Sequence, residues 1–502
     1  MLFAIINEVG FAVVVEAAPA NFSFQRLKMK IKFRKVTILT GTLGCFGLMA
    51  PCALAGGESV YGTFPVTLKG YSGSKTNSVS YTGQIARHVL HDSLKKLAGK
   101  GNGKPNSALK EKMMSYYAAK DSGRKIIAPG SKGKFLVKQT MVDQISKKKN
   151  LIGKTYKGGV AGMPNNMTGR ELIMFWIGKA SSAKKGVDAA NGYNYPQLIS
   201  KFIMGAVFYN QAVDNYLDEK LGANKKPNNK PYKKGAPYTG KEHSWDEAFG
   251  YFGIPAHGLE LSPSQLYSIA KRKGKAVAYA DKNGDGKVDL YREMVFAPAY
   301  YAAGSDKSKK TSYAKNITQA FLDGRKLITS AKGAALTDAQ RNQLKSYAAI
   351  IGKNWEQTLA ESVFKYAGSC YKDLAAIKAA VAQNKVPGKS LSKYIKHWGE
   401  LKGFSLSLQT GKHNLGETAV RLNRLIGFGP VMPNSSQVTD IDSKGNYVKS
   451  QSSGLGEYMV HMLKVQKLMV DKFGVKARKN DHLANMGAMI KKLGGGSAAE
   501  ND

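Results

Sequence analysis

A short segment of alternating oxygen-bearing residues could bind a hard cation such as Ca²⁺. Loop positions 1, 3, 5, 7 and 9 would supply oxygen ligands from Asp281, Asn283, Asp285, the Lys287 carbonyl and Asp289. Gly286 at position 6 permits the sharp turn that folds these groups inward. Position 12, where such loops carry a bidentate glutamate, is Arg292, so Glu293 would have to complete the site. The pattern predicts a calcium-binding loop of the EF-hand type, with a plain Asx/Gly turn as the alternative.

Two further segments, residues 242–250 and 396–404, each place a histidine three residues before a carboxylate. Together they offer five candidate metal ligands, namely His243, Asp246, Glu247, His397 and Glu400. Positions i and i+3 share a helix face, and helical bundles build metal sites from side chains that point into their interior. Such pairs also occur as surface ion pairs or packing hydrogen bonds, which is the alternative for either segment. The similarity of the two segments predicts a transition-metal site.

The sequence lacks the common motifs of hydrolytic enzymes. It contains no His-Glu-x-x-His zinc motif and no Gly-x-Ser-x-Gly elbow, and Cys370 lies in no recognisable nucleophile signature. His257 and Glu260 repeat the His-x-x-Glu spacing, but they follow Pro255 in a predicted loop. The motifs therefore favour a binding protein over an enzyme.

Helices must position these candidate residues, because helical periodicity dominates the chain. Apolar residues recur every three or four positions at residues 84–97, 197–221, 355–366, 371–383, 391–409 and 456–473. Residues 221–240, rich in Lys, Asn, Pro and Gly, are predicted to form a loop. We expect an all-α fold of two helical bundles, residues 56–255 and 307–493, that could descend from a duplication. Residues 256–306 would connect the bundles and carry the calcium loop, and residues 494–502 would form a frayed tail.

The N-terminal region has the three parts of a secretory signal peptide. A basic segment at residues 29–35 precedes a mostly apolar run at 36–49 and a small-residue cleavage site at 53–55. We predict a signal peptide over residues 29–55, preceded by an upstream extension of the gene over residues 1–28. Cleavage would leave Cys370 as the one remaining cysteine, so no internal disulfide is expected. No later segment is apolar and long enough to span a bilayer, and we predict a periplasmic or secreted protein.

The chain is strongly basic. Its 502 residues include 76 Lys and Arg against 35 Asp and Glu, a formal net charge of +41. Such a charge commonly indicates a nucleic-acid partner, because basic side chains neutralise phosphates. An exported protein meets lipid head groups and acidic polymers instead, so we expect no nucleic-acid partner and an anionic envelope surface as a candidate partner.

Several separated motifs resemble one family of exported bacterial proteins. They lie, in chain order, at residues 61–64, 80–87, 203–209, 242–250, 289–293, 397–404 and 426–430. Together they make the chain similar to the family catalogued as domain of unknown function 4856. More loosely, the chain resembles the imelysins, all-helical exported proteins with a His-x-x-Glu motif and links to iron acquisition. That looser resemblance implies an all-α fold and iron as the candidate transition metal.

Two hypotheses for the function follow. The first is an exported, periplasmic, imelysin-like protein that binds iron or another transition metal and cooperates with metal-uptake partners. The alternative is a basic, non-enzymatic envelope module that binds anionic polymer or lipid head groups. An imelysin-type peptidase activity stays open, although no hydrolase motif supports it.

Overall fold

The computed structural model describes residues 59–412 and 415–493, together with two short strands near the N-terminus. Apart from those strands, the predicted extension (1–28), signal peptide (29–55) and C-terminal tail (494–502) lie outside the described residues. Residues 55–502 cluster as one compact unit, and residues 1–54 form another. Within the described ranges, none of the helices combines the length and the apolar character that crossing a bilayer requires.

Helices dominate the described residues. In the first part of the chain they are α1 (Thr82–Ala98), α2 (Ser107–Tyr117), α3 (Gly169–Ser182), α4 (Tyr195–Ile203), α5 (Gly240–Phe252), α6 (Pro263–Lys271) and α7 (Ala276–Ala280). They continue as α8 (Ala297–Asp306), α9 (Tyr313–Ser330), α10 (Asp338–Ala382), α11 (Gly388–Leu408), α12 (Gly416–Ile426), α13 (Leu455–Phe473) and α14 (Met486–Lys492). The predicted all-α class is confirmed, whereas the division into two bundles and their duplication stay predictions.

Strands form three short antiparallel pairs in the described residues. The pairs are β1 (Ile5–Ile6) with β2 (Ala12–Val13), β3 (Val187–Asp188) with β4 (Tyr193–Asn194), and β5 (Ser436–Ile441) with β6 (Tyr447–Gln451). The last pair is the longest, and its register shifts between Val438 and Asp440. Each pair is short, so these strands do not alter the all-α class.

The 45-residue helix α10 is the centre of the packing. A capping box of Thr337 and Gln340 begins it, and it contacts α9, α11 and α13. At about 1.5 Å per residue it is roughly 67 Å long. The sequence showed helical periodicity at 355–366 and 371–383, and one helix runs through both segments. Gly368 lies within the helix. A glycine is required there because the Asn480 backbone comes too close for a Cβ atom.

The chain that follows α13 is tied to the middle of α10 by one buried carboxylate. Glu361 Oε1 accepts hydrogen bonds from the backbone N–H groups of Lys476 and Ala477, both at 2.6 Å. Glu361 Oε2 accepts another from Arg478 N at 3.0 Å. These charge-assisted bonds hold the segment that carries Asn480 against the long helix.

Helix α4 extends past Ile203 into two π-helical turns, Met204–Tyr209 and Gln211–Tyr216. Such turns are rare and frequently lie near functional sites. Gly205 in the first turn donates its backbone N–H to Ser407 Oγ at 3.2 Å. A Cβ atom on Gly205 would lie only 2.5 Å from Ser407 Cα, so the glycine permits a close approach of this segment to α11.

Candidate functional site: a basic cavity between helices

A cavity of 740 Å³ is lined by side chains of α1, α4, α6, α8, α10 and α11, and we call it the central basic cavity. Its cationic side chains are Lys95, Lys201, Lys271, Arg272, Lys365, Lys372, Lys393 and Lys396. Its carboxylates are Asp92, Asp373 and Glu400. Eight cations against three carboxylates give the cavity a positive potential, and low-dielectric walls focus such a field on an entering anion.

Lys201 on α4 is the most enclosed of these cations, with 4% of its surface exposed. Its Nζ lies 5.1 Å from the ring centroid of Tyr301 and 5.9 Å from that of Phe404. Burial lowers the pKa of Lys201 well below its ordinary value, and the charge of Lys95 lowers it further. Lys365 on α10 lies in a similar environment, and burial lowers its pKa as well.

Aromatic side chains form another part of the cavity wall. Tyr300, Tyr301, Tyr366 and Phe296 all line it. The hydroxyl oxygens of Tyr301 and Tyr366 lie 3.3 Å apart and share a hydrogen bond. Burial raises the pKa of both tyrosines, so they remain neutral and can contact an uncharged, planar part of a ligand.

His91, Asp92 and Ser200 meet at the cavity wall with the residue types of a nucleophilic triad. His91 Nδ1 lies 2.9 Å from Asp92 Oδ1, and its Nε2 lies 3.0 Å from both Ser200 Oγ and the Ser200 carbonyl oxygen. A carbonyl oxygen can only accept, so Nε2 has to carry a proton to bond it. The same nitrogen then cannot take the hydroxyl proton of Ser200. This geometry favours a hydrogen-bonding role for His91 over that of a general base.

The second histidine segment belongs to the central basic cavity. His397 and Glu400 lie on α11 and line it together with Asp373 of α10. His397 Nδ1 is 2.6 Å from Asp373 Oδ2. Glu400 is buried, and its Oε2 makes no hydrogen bond with another of the described residues. Two of the predicted metal ligands thus line the cavity, although the sequence did not single out Asp373, and their metal-binding role stays a prediction.

The first histidine segment lies on α5 and does not line the cavity. His243 is 12% exposed, and its ring lies 4.3 Å from the ring centroids of both Tyr232 and Tyr238. Its Nε2 lies 3.9 Å from Glu247 Oε1, one full helical turn away. Burial lowers the pKa of His243 to about 4, so the ring is neutral at ordinary pH.

Asp246 faces away from His243, toward α9. Its Oδ1 accepts hydrogen bonds from Arg325 Nε at 2.9 Å and from the Tyr61 hydroxyl at 2.7 Å. Arg325 also donates to Glu242 Oε1 at 3.1 Å, and all three charged groups are buried. Asp246 is therefore part of a buried ion network that joins α5 to α9.

The predicted calcium loop follows the short helix α7. Asp281 accepts from the backbone N–H groups of Gly284 and Gly286, each at 2.8 Å. Glu293, at position 13, reaches back across the loop, and its Oε1 accepts from Lys282 N at 3.0 Å. Glu293 Oε2 also accepts from Asp289 N at 2.8 Å, so this carboxylate links the two ends of the loop.

The other predicted calcium ligands make separate contacts. Asn283 Oδ1 accepts from Asp285 N at 3.0 Å, and Asp285 Oδ1 accepts from Lys287 N at 2.9 Å. Asp289 Oδ1 accepts from Gln139 Nε2 at 2.7 Å. In the described part of the chain, no group of three or more His, Cys, Asp and Glu side chains is placed to hold a metal ion. The calcium and transition-metal predictions therefore stay predictions.

The comparisons with known proteins bear on the family. A family model described as Domain of unknown function (DUF4856) matches residues 71–361. The chain belongs to this family. The DUF4856 match begins before α1 and ends within α10, so it contains the cavity residues of α1, α4, α6 and α8. Comparisons with curated proteins and with solved structures found no match. The looser resemblance to imelysins stays a prediction.

Sequence reasoning missed the lysines of the central basic cavity. They come from helices far apart in the chain, and in a sequence with 76 basic residues each resembles a surface lysine. One local signal was present: Lys201 interrupts an otherwise mostly apolar helical run between Leu198 and Ile203. A lone lysine in such a run indicates a buried amine with a special environment.

Proposed function

We propose that the protein binds a small organic anion, or the anionic end of a larger molecule, in the central basic cavity. The observation that carries this proposal is the lining of one 740 Å³ cavity by eight Lys and Arg side chains and three carboxylates. Ligand-binding cavities typically measure about 300–1,000 Å³, so the volume suits an organic ligand. The proposal narrows the envelope-module hypothesis, because lipid head groups and polymer ends are anions of this kind.

The arrangement of the lining supports a ligand with two parts. Lys372, Lys393 and Lys396 lie at exposed positions of α10 and α11, where they can attract an anion from solvent. Tyr300 and Tyr301 offer aromatic surface farther along the wall. A ligand with carboxylate or phosphate groups on an uncharged ring or chain matches both features.

Reversing the charge of two exposed lysines of the cavity tests this function. Lys372→Glu combined with Lys396→Glu should weaken binding of citrate and pyrophosphate, measured by isothermal titration calorimetry. Each reversal should cost roughly 1 kcal/mol, so the pair should lower the affinity about thirtyfold. Both residues are exposed, and the fold should therefore persist.

A matched control separates the cavity from the general charge of the protein. Lys345→Glu combined with Lys353→Glu makes the same charge change at exposed positions of α10 that do not line the cavity. We expect this control to bind as the wild type does. Equal losses in both double variants, or no binding to the wild type at low salt, would contradict the proposal.

A transition metal at His397 is a second candidate function, in line with the iron-binding hypothesis. The supporting observation is the 2.6 Å contact between His397 Nδ1 and Asp373, because metal-binding histidines usually bond a carboxylate through their other ring nitrogen. His397 Nε2 and Glu400 would supply two protein ligands, and a chelating anion would supply the rest. Such a chelate would enter the same cavity.

Metal analysis of the purified protein tests this second function. After incubation with ferric citrate and removal of excess metal, the wild type should retain iron. His397→Ala should lose it, whereas His243→Ala, outside the cavity, should keep it. A wild type that stays free of iron under these conditions would refute the metal proposal and leave the anion proposal intact.

Calcium binding by the loop at residues 281–293 is a structural proposal. Its support is the Glu293 carboxylate, which closes the loop from position 13. A ligand that binds only the folded state raises the thermal midpoint, so millimolar Ca²⁺ should raise it in the wild type but not in Glu293→Gln. The same midpoint with Ca²⁺ and with a chelator would refute the proposal.

Export through the predicted signal peptide is also part of the proposed function. The support is the three-part pattern of residues 29–55. N-terminal sequencing of protein taken from the cell envelope should find a chain that begins at Gly56. A mature chain that still contains Asn21 would contradict both the signal peptide and the proposed start at Met29.

A further inference from the structure

One lysine of the central basic cavity differs from the others in how it is held. Lys201 is buried on α4, and it still lines the cavity. Gly403 of α11 lies against its stem, where an added Cβ atom would be only 2.6 Å from Lys201 Cβ. The amine rests near the rings of Tyr301 and Phe404. The side chain is therefore confined, and its nitrogen lies near aromatic rings and the charged groups of Lys95, Glu400 and Asp92 in the lining of a ligand-sized cavity.

This environment favours the neutral, nucleophilic form of the amine. Burial and the neighbouring charge of Lys95 lower the pKa of Lys201, and the charges of Glu400 and Asp92 offset only part of this effect. Each unit by which a lysine pKa falls raises its neutral fraction at neutral pH about tenfold. Desolvation and a second cation are the two means by which enzymes activate a lysine toward carbonyl compounds.

Lys402 is also a buried lysine, but its surroundings differ from those of Lys201. Lys402 Nζ donates to the Gly427 carbonyl oxygen at 2.7 Å and to Asn423 Oδ1 at 3.2 Å. It does not line the central basic cavity. Its hydrogen bonds join α11 to α12, so its role is structural. Lys201 combines burial with access to a ligand, which Lys402 lacks.

We propose that Lys201 forms an imine with a ligand that carries both an anionic group and an aldehyde or ketone. The proposal rests on the proposed anion-binding function, because the surrounding cations would hold the anionic group. Lys201 Nζ attacks the carbonyl carbon, a C–N bond forms, and the π electron pair of the carbonyl moves to its oxygen. The resulting carbinolamine loses that oxygen as water together with the two former amine protons. The step is reversible and consumes no oxidant or reductant.

Reductive trapping tests this reaction. Pyridoxal 5′-phosphate is a suitable probe, because it has a phosphate group and an aldehyde on one ring. Cyanoborohydride delivers a hydride to the imine carbon and converts the adduct to a stable secondary amine. At an equimolar amount of probe, peptide mapping by mass spectrometry should find Lys201 labelled at least about tenfold more than any other lysine.

Three variants control for folding and for position. Lys201→Arg keeps a long cationic side chain and Lys201→Met keeps an apolar stem, and neither can form an imine. Lys353→Met removes an exposed lysine of α10 outside the cavity and should keep the labelling at Lys201. Thermal melting identifies any Lys201 variant that fails to fold. Equal labelling of many lysines, or undiminished total labelling of a folded Lys201 variant, would overturn the proposal.

A second compound tests the imine at Lys201 separately from the anion-binding function on which that proposal rests. Pyridoxine 5′-phosphate carries an alcohol in place of the aldehyde, so it can occupy an anion site but cannot form an imine. Binding of both compounds with a reductant-dependent adduct at Lys201 supports the proposal. Binding of both without an adduct overturns the imine and leaves the anion-binding function standing. If neither compound binds, the anion-binding function fails, and the imine proposal fails with it.

Discussion

Arg325 and Lys201 are both buried cations, but their neighbours give them different roles. Burial alone would lower the pKa of Arg325, yet the charges of Asp246 and Glu242 raise it. Lys201 has aromatic rings and a second lysine as neighbours, and its pKa falls. Arg325 is fixed in an ion network, whereas Lys201 lines the cavity and is the proposed nucleophile.

Removal of Arg325 should strongly destabilise the fold. Arg325→Met leaves Glu242 and Asp246 buried without their cation, which should cost about 3–5 kcal/mol of unfolding free energy in urea titrations. Neutralising the two carboxylates in the same chain, as Glu242→Gln and Asp246→Asn, should restore part of that loss. An equal loss with and without these neutral replacements would contradict the ion-network interpretation.

His88 should make the protein sensitive to acid. It is buried on α1, its ring centroid lies 4.8 Å from that of Phe296, and burial lowers its pKa to about 3. The unfolded chain takes up this proton near pH 6.5, so stability that is fully present above that pH is lost as the pH falls toward the folded pKa. By about pH 4 the loss should reach roughly 3 kcal/mol.

His88→Gln tests this pH dependence. Glutamine does not titrate, and its amide can still donate to the Gly250 carbonyl oxygen, which lies 3.1 Å from His88 Nε2. Urea titrations between about pH 7 and pH 4 should show a shallower loss of stability in the variant. Parallel profiles for both proteins would assign the acid sensitivity to other groups.

At the scale of elements, the contact between α4 and α11 depends on small residues. Gly205→Ala would push a methyl group against Ser407, and we expect a loss of about 1–3 kcal/mol in unfolding free energy. Gly178→Ala on α3 is the matched control, because open space surrounds that helical position. It should be neutral or stabilise the protein by up to about 1 kcal/mol. Similar effects at both positions would contradict the role assigned to close packing.

The sequence predicted most of the helices well, because their apolar faces repeat with helical spacing. The segments 84–97, 391–409 and 456–473 correspond to α1, α11 and α13. It did not indicate why a glycine stands at 368, where the distant Asn480 backbone approaches too closely for a Cβ atom. Periodicity reports which face of a helix is buried, and it does not report what lies against that face.

The candidate site was predictable only where its residues form a local motif. His397 and Glu400 were singled out by their spacing on one helix, and both line the cavity. The matching spacing around His243 proved uninformative about this cavity, because that ring lies between Tyr232 and Tyr238. Apart from the local signal at Lys201, the sequence could not show which lysines line the cavity, because that depends on which helices pack together.

At the scale of the whole molecule, the net charge of +41 should oppose compactness through self-repulsion. Salt shortens the Debye length from about 30 Å at 0.01 M to about 8 Å at 0.15 M, so the thermal midpoint should rise with sodium chloride over this range. Sodium sulfate at equal ionic strength should raise it further if an anion occupies the cavity. A midpoint that falls with added salt would show that attractive ion pairs outweigh the repulsion.

The lining of the central basic cavity runs from His91 to Asn480, and the DUF4856 match ends at residue 361, inside α10. One wall therefore belongs to the matched segment, and the other is contributed by residues that follow it. During synthesis, the last wall residue emerges only after nearly the whole described chain has been made. The proposed ligand binding would thus require the finished molecule, and a ligand assay would report on the completeness of folding as well as on affinity.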